Sequence, residues 1–414
     1  MDNLPLSFCE SVETRRYTTP VSVNTLVSSI ESVTKAVEKA IGEEMPDEFG
    51  LMLDDWSQDT EQFLAIYGCY DLPGGPRYPL LSMAPVMDEP DDHLNAEERM
   101  RAIVRFLPFF GKTINGCKFL VGDNCAVNKR LANLMNVPLV GCARHRLSLA
   151  VREFLVPFET ALDQVQQLMR KHRTKPSCKM RMKTPLMPIL SQDTRWSSTF
   201  SMLERYIRLR EFLSADDDDM ADLLPSRADH RKLEDLLSKL RCIESISKKL
   251  QGDELTLLDA RALFDGLLEL RPSMTTYLSP DAEIVHSPVF EAAVVKVLAG
   301  DAGLLTNEEA RALEPFRVPA EALSTAEVTS STAKEGFADQ ILKRRKIVAN
   351  PSTYKLLSAI PPTSNRVERL FSIARAVVRH ERHRLSPMTL EMILFLKVNG
   401  GFWDVATVDA CLEK

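Results

Sequence analysis

CKFLVGDNCAVNKRLANLMN, residues Cys117 to Asn136, is the stretch on which the reading of this chain turns. A short apolar run, Phe119, Leu120 and Val121, stops at Gly122, Asp123 and Asn124 and gives way at once to helical spacing in Val127, Leu131, Leu134 and Met135. The first part reads as a buried strand, the second as a helix packed on it. A buried strand avoids charge unless a metal or a partner compensates it, so Asp123 at the strand end is a candidate for chemistry. The plainer reading is an ordinary anion at a helix N-terminus. The same event recurs downstream, where PLVGC (Pro138–Cys142) runs into the helical HRLSLAVREFL.

Upstream, FGLMLDDW and QFLAIYGCY are short, rich in aliphatic and aromatic residues, and joined by SQDTE as a hairpin. A third strand is predicted from Tyr78 to Met83, after the turn in DLPGGPRY. AEERMRAIVRFLPFF then reads as a helix with Met100, Ile103, Val104 and Leu107 on one face. Three strands, then helix, strand, helix, strand, helix is a mixed α/β order of the ribonuclease H type, with a helical insertion and C-terminal helices completing the core. In such a sheet the first strand and the strand after the long helix are neighbours. Asp54 and Asp55 end the former and Asp123 the latter, so their carboxylates converge. SNRVERLFS (Ser364–Ser372) carries Glu368 on a late helix for which Ser364 is the expected N-cap. Three carboxylates suit hard divalent cations and two-metal phosphoryl transfer, although a Glu flanked by arginines is more often a solvated helix face.

The 414 residues are enough for two or three packed units, and 44% hydrophobic with 27% charged residues is ordinary for a soluble protein. No apolar run is long enough for a membrane span, and the N-terminus lacks a signal-peptide pattern. Eight scattered cysteines without C-x-x-C pairs point to a reducing compartment. A net charge of -6 argues against a nucleic-acid partner, but it hides an asymmetry. Asp339 to Leu385 holds eleven Lys or Arg against three acids, and RKHRTKPSCKMRMK (Arg170–Lys183) holds no acid at all.

Residues 1–48 read as a lead-in with one amphipathic helix (Val23, Leu26, Ile30, Val33, Val37, Ile41), and 49–156 as the first part of the core. Residues 157–335 are helical in pattern, with the Asp216 to Asp219 tract as a loop and the Ser/Thr/Ala-rich Val318 to Gly336 as a linker. Residues 336–414 return to the core. Leu390 to Trp403 there is too apolar for a one-sided surface helix.

GLMLDDWS, FLVGDNCAVNKRLANLM, PLVGCARHRLSLAV, DTRWSSTF and PPTSNRVERLFSIARAVVRHERHRLSPMTLEMILFLKVN, in this order and spacing, resemble the hAT superfamily of DNA transposases from about Phe49 to Asp404. The resemblance implies an acidic triad at Asp54, Asp123 and Glu368 holding Mg²⁺ or Mn²⁺, a DNA substrate that is cut and joined, a nuclear location, and a homodimer or higher homo-oligomer through the C-terminal region. The family usually has Asp-Gly-Trp at its first site, so Asp55 stands where glycine is usual. Cys142 and His145 match a C-x-x-H element beside the active site; a structural zinc needs four ligands and no second pair lies nearby. Arg195 and Trp196 match an Arg-Trp pair whose Trp stacks on a displaced base, with core packing as the plain alternative. Arg366, Arg369, Arg375 and Arg379 are candidates to neutralise phosphates, and exposed helix-face arginines explain them almost as well. The BED finger usual ahead of the catalytic region has no Cys/His cluster to match it here. That absence, with Asp55, favours the alternative of a catalytically decayed or domesticated chain acting by DNA binding and dimerisation. A general ribonuclease H type nuclease is the third reading.

Overall fold

The computed structural model describes residues 6–17, 19–58, 61–85, 95–174, 184–192, 196–213, 223–318, 353–378 and 385–412. The linker from residue 319, the basic ILKRRK segment, most of the Arg170–Lys183 run and the Asp216 to Asp219 tract lie outside them. After helix α1 (Val23–Glu44) comes a mixed six-stranded sheet. Strands β1 (Phe49–Gln58) and β2 (Glu61–Leu72) form the antiparallel hairpin, with Asp54 opposite Ala65 and Trp56 opposite Phe63. Both β3 (Gly75–Arg77) and β4 (Leu80–Pro85) pair antiparallel with β2. Strand β5 (Cys117–Gly122) runs parallel to β1, setting Val121 beside Met52, and β6 (Leu139–Gly141) runs parallel to β5. The strands of Asp54 and Asp123 are therefore neighbours, as the element order requires, but Asp54 and Asp55 do not end β1: it stays paired with β2 through Gln58, whereas Asp123 directly follows the last residue of β5. Helices α2 (Ala96–Phe106), α3 (Ala126–Met135) and α4 (Ala143–Leu155) follow β4, β5 and β6. The first core gathers around the sheet and a second fills the helical part, where α4 meets the helix Trp196–Leu209 and that helix packs on Arg227–Lys249.

Two further expectations need correction. The third predicted strand begins at Leu80 rather than Tyr78 and runs to Pro85, and the segment read as the turn before it holds the short β3; Pro79 has no N–H to give a ladder, and the β2–β4 register shifts at Ile66/Tyr67 beside it. The helix faces are also turned. On α2 the buried positions are Ala96, Arg99, Ile103 and Phe106 while Val104 is 49% exposed, and on α3 they are Asn128, Leu131 and Ala132 while Leu134 is 41% exposed. A buried arginine and a buried asparagine thus take places that apolar periodicity assigns elsewhere.

The apolar helix Pro387–Val398 is used within the chain. Its Leu390, Leu394, Phe395 and Leu396 are buried against β4 and α1, while Met388 is exposed. Ser386 caps it by accepting from the Thr389 N–H at 3.2 Å. Glu391 on this helix accepts from the Met83 N–H at 3.0 Å and the Ser82 hydroxyl at 2.9 Å, and Asn399 exchanges two hydrogen bonds with Leu80, so the free edge of β4 is satisfied by side chains. Among the described residues no helix is long and apolar enough to cross a membrane.

Glu38 of α1 lies near Glu391, and burial together with that second carboxylate pushes its carboxyl up to about 7. A folded-state value above the unfolded one gives stability that is full below about 4.5 and lost as pH rises through 7. Glu38→Gln is expected to stabilise the chain by about 1 kcal/mol at pH 8, after allowance for its partial exposure, and by almost nothing at pH 5. Urea unfolding at the two pH values checks this; an equal effect at both would contradict it.

Candidate active site

Side chains alternate along β1, so Asp54 and Trp56 share one face of the sheet and Asp55 takes the other. Trp56 stacks on Phe371 of the helix Asn365–Val377, with ring centroids 6.0 Å apart and planes 18° from parallel. The face that carries Asp54 is therefore the one covered by the helix that carries Glu368, one turn before Phe371.

The ends of β5 and β6 are stitched to the buried segment before that helix. The Cys142 N–H donates to Gly122 O at 2.8 Å, the Ala143 N–H to Pro362 O at 2.8 Å, and the Ser364 N–H to Cys142 Sγ at 3.4 Å. Burial pushes the Cys142 thiol up to about 12, so it stays neutral and acts as an acceptor. Ser364 does sit at the N-cap position, but its hydroxyl makes no cap and is buried without a partner among the described residues. Asn124 is buried too. Both of its amide atoms lack hydrogen-bond partners among the described residues, and a methyl group at Gly141 would meet that amide at 2.1 Å.

Around these strand ends the charges act on one another. Burial, then the charge of Asp123, then those of Asp55 and Glu368 push the Asp54 carboxyl up to about 8, against the hydrogen bond it accepts from the Asp55 N–H at 2.9 Å. No Lys or Arg among the described residues pairs with Asp54. His145 Nδ1 lies 2.9 Å from Asp123 Oδ2; that hydrogen bond, with the Asp123, Asp54 and Glu368 charges, raises the imidazole above its ordinary value although burial opposes it. Arg144 reaches Glu368 and also donates to Asn365 Oδ1 at 3.2 Å. Sequence reasoning did not find Arg144, which sits in CARHR with no local sign of a partner 224 residues on.

The donor set suits a hard divalent cation in its chemistry, since Asp54 is an unpaired carboxylate held beside further negative charge. It is not a ready-made ligand cage: no group of three His, Cys, Asp or Glu among the described residues is placed to hold a metal. Asp123 faces His145 and Glu368 faces Arg144, which leaves Asp54 as the acid of the three without a basic side chain beside it among the described residues.

Asp55 is turned away from this pocket and ion-pairs with the buried Arg99 of α2. Arg366 lies over the Tyr78 ring at 4.5 Å and 3.5 Å from Asp253, and Arg369 pairs with Asp253 and donates to Gln251 O at 3.2 Å. Both arginines thus tie the helix of Glu368 to the helical part. Trp196 is 8% exposed in the second core, at the rim of a cleft of about 270 Å³ with Gln166 and Thr199. Arg195 and Arg379 lie outside the described residues. No protein-family model matches the chain, and no curated protein matches it either.

Proposed function

We propose that this chain is a hAT transposase-like protein whose Asp54, Asp123 and Glu368 carry out divalent-metal-assisted phosphoryl transfer on DNA, cutting strands and joining them. The observation that carries the reading is that Asp54, within β1, feels the charges of both Asp123, just past the end of the adjacent parallel β5, and Glu368, on the helix stacked over that face. The spatial order β4, β2, β1, β5, β6, with the first three antiparallel and the last two parallel to β1, supports a ribonuclease H-like core. DNA as substrate, a nuclear location and a homo-oligomer through the C-terminal region belong to the same reading, as does the division into a lead-in, a two-part core and a helical insertion.

In it, Asp54 and Asp123 hold Mg²⁺ or Mn²⁺, and His145 fixes the rotamer of Asp123 through its Nδ1. When bound, the cation polarises the phosphodiester and acidifies the attacking hydroxyl or water. Glu368, paired with Arg144 here, would be the third acid able to reach the cation, and the Arg144 guanidinium would then be available to a phosphate oxygen. The second reading, a DNA-binding relative that no longer cleaves, is favoured by one observation: Glu368 is held by Arg144 rather than open to a metal.

Nicking of supercoiled plasmid by the full chain with Mg²⁺ or Mn²⁺ separates the two. Cleavage is expected, together with a loss of at least about 100-fold in Asp123→Asn, because partners outside the ligand shell alone cost 10- to 100-fold. Equal nicking by that variant overturns the assignment, and DNA binding with no nicking selects the second reading.

A further inference from the structure

Arg99 is 3% exposed and stands behind the sheet, on the face opposite Asp54. It ion-pairs with Asp55 and donates from Nη1 to Asn128 Oδ1 at 2.5 Å. Asn128, 3% exposed on α3, donates its Nδ2 to the Asp123 carbonyl at 2.9 Å. The amide orientation is fixed chemically, because a guanidinium only donates and a carbonyl only accepts. Gly122 leaves room for this link: a methyl group there would come within 3.1 Å of Asn128 Nδ2 and 3.0 Å of Leu53 O.

One buried cation therefore grips two neighbouring strands. On β1 it holds the residue after Asp54, and beyond β5 it holds Asp123 through the Asn128 arm. We propose that Arg99 is a positioning residue that sets the separation of Asp54 and Asp123 from the far side of the sheet, with Asp55 as its counter-ion. Asp55 then serves the site as the partner that makes a buried guanidinium tolerable there. The inference rests on the functional reading above for what the two aspartates do, and on hydrogen-bond geometry alone for how they are held.

The test measures Mn²⁺ affinity by electron paramagnetic resonance, and hydrogen exchange across residues 119–128, on folded full-length protein. Arg99→Leu and Asn128→Leu are each expected to weaken Mn²⁺ about tenfold or more, the scale of lost outer-shell partners, and the double variant to be no worse than the weaker single. Arg99→Lys is expected to recover stability but not affinity, since an ammonium is a point charge that does not span Asp55 and Asn128 together. Arg130→Leu, which breaks the Arg130–Glu97 pair between the same two helices (Nε to Oε1, 2.8 Å), controls for general loosening and leaves Mn²⁺ binding unchanged.

Equal weakening by Arg99→Leu and Arg130→Leu, or full recovery of affinity by Arg99→Lys, overturns the proposal. If the wild-type chain binds no Mn²⁺, the functional reading fails and exchange alone decides the positioning role. Faster exchange around Asp123 in Arg99→Leu but not in Arg130→Leu supports it, and no difference overturns it. Should Arg99→Leu not fold, Asn128→Leu and Arg99→Lys carry the same comparison.

Discussion

Asp54→Asn is expected to make the metal-free chain more stable at pH 8.5, by about 2 kcal/mol, while removing the stabilisation that Mg²⁺ gives the wild type. The Asp54 carboxyl is pushed up to about 8 by burial and by Asp123, well above its ordinary 3.8. Stability from the protonated group is full below 3.8 and lost as pH rises through about 8, so the ionised form weighs on the fold under alkaline conditions. The full shift would correspond to about 6 kcal/mol, and partial exposure reduces what is realised. Asparagine removes the charge and keeps an oxygen to accept the Asp55 N–H. Magnesium at about 100 times its Kd would stabilise the wild type by about 2.7 kcal/mol and the variant by far less. Urea unfolding at pH 5 and 8.5, with chelator and with Mg²⁺, reads both effects. A variant less stable than wild type at pH 8.5 without metal would contradict the charge balance described for the pocket.

The second large effect lies in the aromatic contact that seats the late helix. Trp56 is 5% exposed, 5.3 Å from the Phe63 ring and stacked on Phe371. Trp56→Ala is expected to cost about 3 to 5 kcal/mol, the range for deleting a large buried aromatic side chain. Because Trp56 is two residues from Asp54 and Phe371 is three from Glu368, the same cavity loosens the link between the first and third acids. Phe371→Leu keeps most of the volume and is expected to cost less. A loss below about 1 kcal/mol for Trp56→Ala would mean that the helix is held elsewhere.

The sheet was legible because its strands are compact apolar runs that stop at recognisable residues: Val121 before Gly122 and Asp123, Val140 before Gly141 and Cys142. Helix Pro387–Val398 was legible as a largely buried element from the apolar density that begins at Leu390. What stayed hidden depends on contacts between distant segments. Helical periodicity ranks Val104 above Arg99 as a core residue, and only Asp55 and Asn128, brought in by the fold, reverse that order. Nothing in RVERLFS says that Arg366 and Arg369 turn to Asp253 and Tyr78, and nothing in CARHR assigns Arg144 to Glu368. Leu51, Met52 and Leu53 are all fully buried, so alternation within β1 gave no hint of which aspartate faces the pocket; the stacking of Trp56 decides it. Ser364 has the residue type of a cap, but the Cys142 thiol takes the backbone N–H there and the hydroxyl is left buried.

The most direct test is a Mn²⁺ titration of the full chain followed by electron paramagnetic resonance, with Asp54→Asn, Asp123→Asn and Glu368→Gln beside the wild type. Saturable binding by the wild type, weakened in all three and most in the two aspartate variants, is the result expected if these side chains share a cation. Wild-type binding that none of the three substitutions changes, or no binding at all, would contradict it.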